Sequence, residues 1–168
     1  MSLAVPYARA SEALFERIGL VLSADALAMY EGEPVKVPTV SRFIGSKRPP
    51  FFVWTNPLAR STSSRGSATS HEYQAEFSLY VYMFATHSDP EEALRNVNAW
   101  MNSAFMGVSA DATLGRAVDC AIPRMSDSGY DTTPEKKYVV AAELEVTCKV
   151  AAICPKEFKE LVRNANSG

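Results

Sequence analysis

His87 and Asp89 stand two residues apart where a strand pattern gives way to a helix pattern. A general base and its orienting carboxylate would use that spacing, but no nucleophile comes into view beside them, so His87 reads as a loop histidine. Glu143 and Glu145 project from one side of a strand, as paired-carboxylate chemistry requires. On a solvent-facing strand the same pair is the wet face. Trp100 would serve as a ligand platform, yet its helical spacing with Val97 and Met101 makes it core. Tyr80, Tyr82 and Phe84 would stack bases, but their strand also carries Glu72 and Glu76, which phosphates avoid. A packing or subunit-contact role follows for Tyr80 and Tyr82. The cysteines, Cys120, Cys148 and Cys154, are odd in number and form no C-x-x-C; they read as reduced, structural thiols, which suits an intracellular compartment. His71 and His87 have no paired spacing for zinc. G-x-S-x-G, P-loop, G-x-G-x-x-G and H-E-x-x-H motifs do not occur. The expectation is a protein that is not an enzyme and takes no cofactor or metal.

The elements that carry these residues are legible from periodicity. Residues 3–18 read as a helix through Tyr7, Ala10, Leu14 and Ile18, stopped by Gly19. Residues 24–30 allow a second short helical turn. Val35, Val37 and Val40, set among prolines, read as an extended or edge strand. Residues 51–54 form a short strand, and 61–70, rich in Ser and Thr, form a mobile loop. The clearest signal runs from 71 to 86, where Tyr73, Ala75, Phe77, Leu79, Val81, Met83 and Ala85 alternate with a face that begins polar and ends aromatic. Asp89-Pro90-Glu91-Glu92 starts a helix with a cap, an early proline and acids facing the macrodipole. That helix buries Ala93, Val97, Trp100, Met101 and Ala104, and Gly107 ends it. A turn at 111–115, a strand over 117–125, a loop over 127–134 and a long strand over 137–151 follow. The last strand sets Leu144 in its apolar face. Phe77, Leu79, Val97, Trp100, Met101 and Leu144 are the expected core.

Strands joined by short loops favour antiparallel pairing, so the fold class is α+β: a mostly antiparallel sheet of about four to five strands with two helices on one face. The 168 residues, 47% apolar and 21% charged, fit a single domain over 1–155, with a long mobile loop near 56–70 and a tail or short helix over 156–168. No apolar run is long enough for a membrane helix, and the first residues lack a secretory pattern, so no membrane contact is expected. The net charge is -2. Its distribution is uneven: from Pro34 to His71 there is no acid, while Lys36, Arg42, Lys47, Arg48, Arg60 and Arg65 give +6. The remainder, 11 basic and 19 acidic residues, carries -8. Such a split orients one copy against another, or against an acidic partner. Arg42, Lys47, Arg48, Arg60 and Arg65 are the expected contact residues.

The strand from Tyr73 to Tyr82, the helix from Asp89 to Trp100, the turn Asp111-Ala112-Thr113-Leu114-Gly115 and the closing strand to Val150 together resemble the tail terminator proteins of long-tailed bacteriophages and prophages. These are also called minor tail or tail-completion proteins. Many members follow the turn with a second glycine, where this chain has Arg116. The resemblance implies a structural virion subunit, assembled in the bacterial host cytoplasm and located in the tail. It implies a self-assembled ring, a hexamer, that caps the tail tube, ends its polymerisation and meets head-tail connector proteins. Two alternatives belong beside it: another phage neck or tail-tube structural protein, and a DNA-contacting adaptor, making weak DNA contact through the basic segment.

Overall fold

The computed structural model describes residues 6–23, 29–30, 33–35, 38–42, 51–56, 62–65, 72–126, 129–134, 137–153 and 163–165. In chain order, α1 spans Pro6–Ser23, β1 Met29–Tyr30, β2 Glu33–Pro34, β3 Thr39–Ser41, β4 Phe51–Asn56 and β5 Thr62–Arg65. Then come β6 at Glu72–His87, α2 at Pro90–Ser109, β7 at Cys120–Met125, β8 at Gly129–Thr132 and β9 at Tyr138–Ile153. Residues 163–165 add one helical turn.

β6 and β9, 16 residues each, pair antiparallel along their whole length, from Glu72 opposite Ile153 to His87 opposite Tyr138. β4 and β5 share the outer edge of β6, and β7 and β8 share the outer edge of β9. β3 lies outside β4 and runs parallel to it. The sheet therefore holds seven strands but is five strands across. It is an α+β fold. β1 and β2 form a separate two-residue ladder.

Period-two alternation decides which face is covered. Phe77, Leu79, Val81, Met83 and Ala85 of β6 sit opposite Cys148, Val146, Leu144, Ala142 and Val140 of β9, and all ten are buried. α2 lays Ala93, Val97, Trp100, Met101, Ala104 and Val108 onto that face, and α1 adds Ala10, Leu14, Ile18, Val21 and Leu22 to the same cluster. Both helices thus cover one face. Each of the six expected core residues, Phe77, Leu79, Val97, Trp100, Met101 and Leu144, lies in this cluster.

Several sequence expectations differ from the structure. α1 does not stop at Gly19 but continues to Ser23, because Val21 and Leu22 are apolar and find the core. α2 does not stop at Gly107 but continues to Ser109, with Ala110 as cap. Gly107 has another task. A Cβ there would stand 2.5 Å from Val21 Cγ1, so the bare backbone is what lets α1 approach α2. Met29 and Tyr30, read as part of a helical turn, are in β1, and Ala24 to Ala28 lie outside the described residues. The stretch read as a mobile loop contains β5, in which Thr62 to Arg65 pair with Phe77 to Gln74. β4 reaches only as far as Tyr80 on that edge, and the rest of β6 still offers backbone groups to pair. The stretch read as the loop before the last strand contains β8. The apolar tail positions Phe158, Leu161 and Val162 lie outside the described residues.

Two stability outcomes follow. Trp100 has no exposed surface, so Trp100→Ala is expected to cost about 3–5 kcal/mol in denaturant unfolding. In an open helix Gly→Ala stabilises by about 1 kcal/mol. Gly107→Ala is expected to destabilise instead, by about 1–3 kcal/mol, since the new methyl overpacks against Val21. Adding Val21→Ala should return part of that loss, a non-additivity read directly from the double mutant.

Candidate assembly surfaces

The residues first considered for chemistry are spent on structure. His87 Nδ1 accepts a hydrogen bond from the Asp89 backbone N–H at 3.0 Å, while Asp89 Oδ1 accepts from the Glu91 N–H at 2.9 Å. Asp89 therefore caps α2 and does not orient His87. Cys120 is opposite Lys149 while Cys148 is opposite Ala121, so the two thiols project from opposite faces of the sheet. Burial pushes the Cys148 thiol up to about 12, with nearby Cys120 adding to the shift. Such a thiol stays protonated and unreactive. Cys154 lies outside the described residues.

Glu143 and Glu145 are on the sheet face away from the helices, opposite Tyr82 and Tyr80. They are half-buried, not a fully wet face. Tyr80 donates its hydroxyl to Glu145 Oε1 at 3.1 Å and stacks on Tyr82, with centroids 6.3 Å apart and planes inclined by 22°. Tyr80 is only 7% exposed. The expectation that Tyr80 meets a second subunit is therefore corrected: its ring and hydroxyl are engaged within the chain. Tyr82 is half-buried beside it.

The basic segment divides as well. Arg42 makes a two-pronged pair with Glu12, each N–H···O distance being 2.6 Å, and its guanidinium lies 4.5 Å over the Phe15 ring. Planar guanidinium suits both contacts at once. The hydrogen bond from Arg42, opposed by some desolvation and aided by its charge, holds the Glu12 carboxyl below its ordinary value. Arg42 thus fastens the end of β3 to α1, and its charge is matched inside the chain. Arg65 closes β5 opposite Gln74. Lys47, Arg48 and Arg60 lie outside the described residues.

The turn after α2 is a second fastening. Leu114, Gly115 and Arg116 take φ values of 49°, 68° and 68°, three left-handed residues in succession. A non-glycine residue there costs about 1–2 kcal/mol. Asp111 supports the turn: Oδ1 accepts from the Thr113 hydroxyl at 2.7 Å and Oδ2 from the Gly115 N–H at 2.8 Å. Leu114 gains burial in the core. Arg17 of α1 pairs with Asp111 Oδ2 at 2.5 Å, and Arg9 donates to the Arg116 carbonyl at 3.1 Å. Arg116, standing where the resemblance has glycine, is thereby held in a conformation that glycine adopts at no cost.

The outer edge formed by β7 and β8 bears directly on assembly. Ser126 donates its N–H to the Glu143 carbonyl, which turns the even positions of β7 towards β9 and the odd ones outward. The outward N–H of Ala121 is taken by the Ala112 carbonyl at 2.6 Å. Pro123 has no N–H. The register then shifts by one residue, since Met125 is opposite Leu144 but Gly129 is opposite Ala141, which marks a bulge. In β8 the Thr132 N–H is capped by Asp131 Oδ1 at 2.7 Å. A ligated donor, a proline and a bulge blunt an edge against strand addition.

The side chains here tell a different story. Met125 and Tyr130 are 47% and 82% exposed on the helix side of this edge, beside Leu94 of α2 at 42%, whereas Ile122, 49% exposed, projects from the opposite face. Pro90, Leu94, Gly129, Tyr130, Tyr138 and Val140 line a groove of about 200 Å³ at this edge. Sequence reading missed it because Gly129, Asp131, Thr132 and Thr133 are turn-forming types and all four residues of β8 are exposed, so no alternation marks the strand. A scan against models of known protein families matches none, and no curated protein is significantly similar to this chain.

The hydrogen bond from the Thr113 hydroxyl, then those from the Gly115 and Thr113 N–H groups and the Arg17 charge, hold the Asp111 carboxyl below its ordinary value. A depressed folded-state pKa adds stability above the unfolded carboxylate range, and that stability is lost as pH falls through the lower, folded value. Asp111→Asn should therefore flatten the acid limb of the stability–pH profile, measured by thermal melts from neutral pH downwards. An unchanged acid limb would show that the Asp111 carboxylate does not hold the 111–116 turn in solution.

Proposed function

We propose that this chain is a structural subunit that assembles with copies of itself into a ring, as the resemblance to phage tail terminators implies. The observation that carries the reading is the outer edge of β7 and β8, where Met125 and Tyr130 are exposed on the helix side beside Leu94, next to a strand edge interrupted by the bonded Ala121 N–H and Pro123. Exposed apolar side chains gathered around a groove support an interaction site there. An edge closed to strand addition and rich in such side chains supports association through side chains, with selectivity kept against open-ended sheet growth. A ring needs two different surfaces on one molecule, so that each copy meets the next head to tail. The β3 side and the β8 side of this sheet are two such surfaces. The ring would then cap the tail tube and face the head connector. The DNA-adaptor alternative draws less support, because Arg42 is matched by Glu12.

Sedimentation velocity and native mass measurement over a wide concentration range test the reading. A single closed oligomer, growing with concentration and stable to dilution once formed, is expected. Added tail-tube protein should bind the ring and stop elongating. A monomer at every concentration, with or without tube protein, would overturn the reading. Salt-sensitive DNA binding by that monomer would favour the adaptor.

A further inference from the structure

The groove between the start of α2 and β8 has a chemistry of its own. Its lining is Pro90, Leu94, Gly129, Tyr130, Tyr138 and Val140. At about 200 Å³ it is smaller than the roughly 300–1,000 Å³ of small-molecule sites and suits one inserted side chain. The charged residues that flank the lining in sequence are the exposed acids Asp89, Glu91 and Asp131 and the bases Lys137 and Arg95, and Arg95 is paired with Glu92 on α2, which leaves the rim acidic. The occupant should therefore present an apolar anchor next to positive charge.

One segment of this chain fits. Residues 43–48 read Phe-Ile-Gly-Ser-Lys-Arg, an apolar pair followed by two cations with no acid. The segment leaves β3 at Arg42, which Glu12 and Phe15 hold against α1. It returns at Phe51, which is in one row across the sheet with Ala85, Val140 and Tyr130. Its two ends are thus at the sheet edge opposite the groove. From β3 to β8 is four strand spacings, about 19 Å at about 4.8 Å each. Phe43 and Ile44 follow Arg42 by one and two residues, a reach of about 7 Å. They cannot fill the groove of their own chain. In a head-to-tail ring closed through these two edges, however, the β3 edge of one copy would lie beside the β8 edge of the next.

We propose that the groove beneath Tyr130 receives the Phe43-Ile44 anchor of the neighbouring copy, with Lys47 and Arg48 meeting the acidic rim. The proposal rests on the ring reading and names the contact that would build it. Buried anchors carry most of an interface's affinity, while rim charges set encounter and register.

A photo-crosslinking residue placed at Leu94 in the full chain tests this, with isotope-labelled and unlabelled copies mixed before illumination. Tryptic digestion should yield an adduct between the Leu94 peptide of one copy and residues 43–47 of the other. Leu94→Glu, at an exposed position, should weaken association about tenfold or more while leaving the monomer's melting temperature unchanged. Lys47→Glu with Arg48→Glu should slow assembly, and Asp131→Lys should restore part of that rate. If the unsubstituted chain assembles but the adduct falls on another segment, or within one copy, the proposal is overturned and the ring reading stands. If the unsubstituted chain never assembles, the ring reading fails and takes the proposal with it.

Discussion

Everything in this protein hangs from the ladder between β6 and β9. Sixteen antiparallel positions in unbroken register fix the face of every side chain on both strands, because a slip of one residue would exchange the apolar and polar sets. The apolar set is strongly asymmetric: Phe77, Leu79, Val81, Met83 and Ala85 on one strand and five apolar partners on the other. That asymmetry decides where α2 must lie, and α2 decides where α1 can lie. The contact between the helices is tight enough to require glycine at 107. Peripheral strands then take whatever edge remains, β4 and β5 dividing one side of the ladder and β7 and β8 the other.

Two fastenings join the periphery to this centre, and both involve α1. Arg42 ties the end of β3 to Glu12 and Phe15, and Arg17 ties α1 to the Asp111 turn. Each is a partly exposed ion pair, a class that contributes little by Coulomb attraction alone. Their worth is geometric. The Asp111 carboxylate offsets the cost of three left-handed residues, and the turn it shapes supplies the Ala112 carbonyl that closes the first outward donor of β7. A local turn motif thus reaches the sheet's edge chemistry.

The sequence made the centre readable and the edges opaque, for a physical reason. Long strands and α2 announce themselves by period, since burial on one face repeats at every second or every third and fourth residue. The six core positions from Phe77 to Leu144 were legible on that ground. Short strands such as β5 and β8 carry no such signature: Thr62 to Arg65 and Gly129 to Thr132 are polar, and they are strands because a longer neighbour offers backbone groups to pair. Glycines were misread for a related reason. Gly19 and Gly107 look like helix stops locally, but burial of Val21 and Leu22 and the close approach of two helices override the local preference. The groove at β8 was hidden because its apolar residues come from three elements and form no run.

The edges matter most for what the molecule can join. A long ladder exposes two flanks, and an unguarded flank would let copies add strand to strand without limit. The β7 and β8 flank is interrupted at Ala121 by a bonded N–H, at Pro123 by a missing one, between the strands by a one-residue shift of register, and at Thr132 by an aspartate cap. The β3 flank is only three residues long and ends in an arginine committed to α1. Main-chain pairing, which is indifferent to sequence, is restricted along β7 and β8. What remains is contact by side chains, which is sensitive to shape and charge and so can set an angle between neighbours. A repeated head-to-tail contact of fixed angle gives a ring where its rotation closes and an open filament where it does not, so the angle that side chains set is what a closed assembly would depend on.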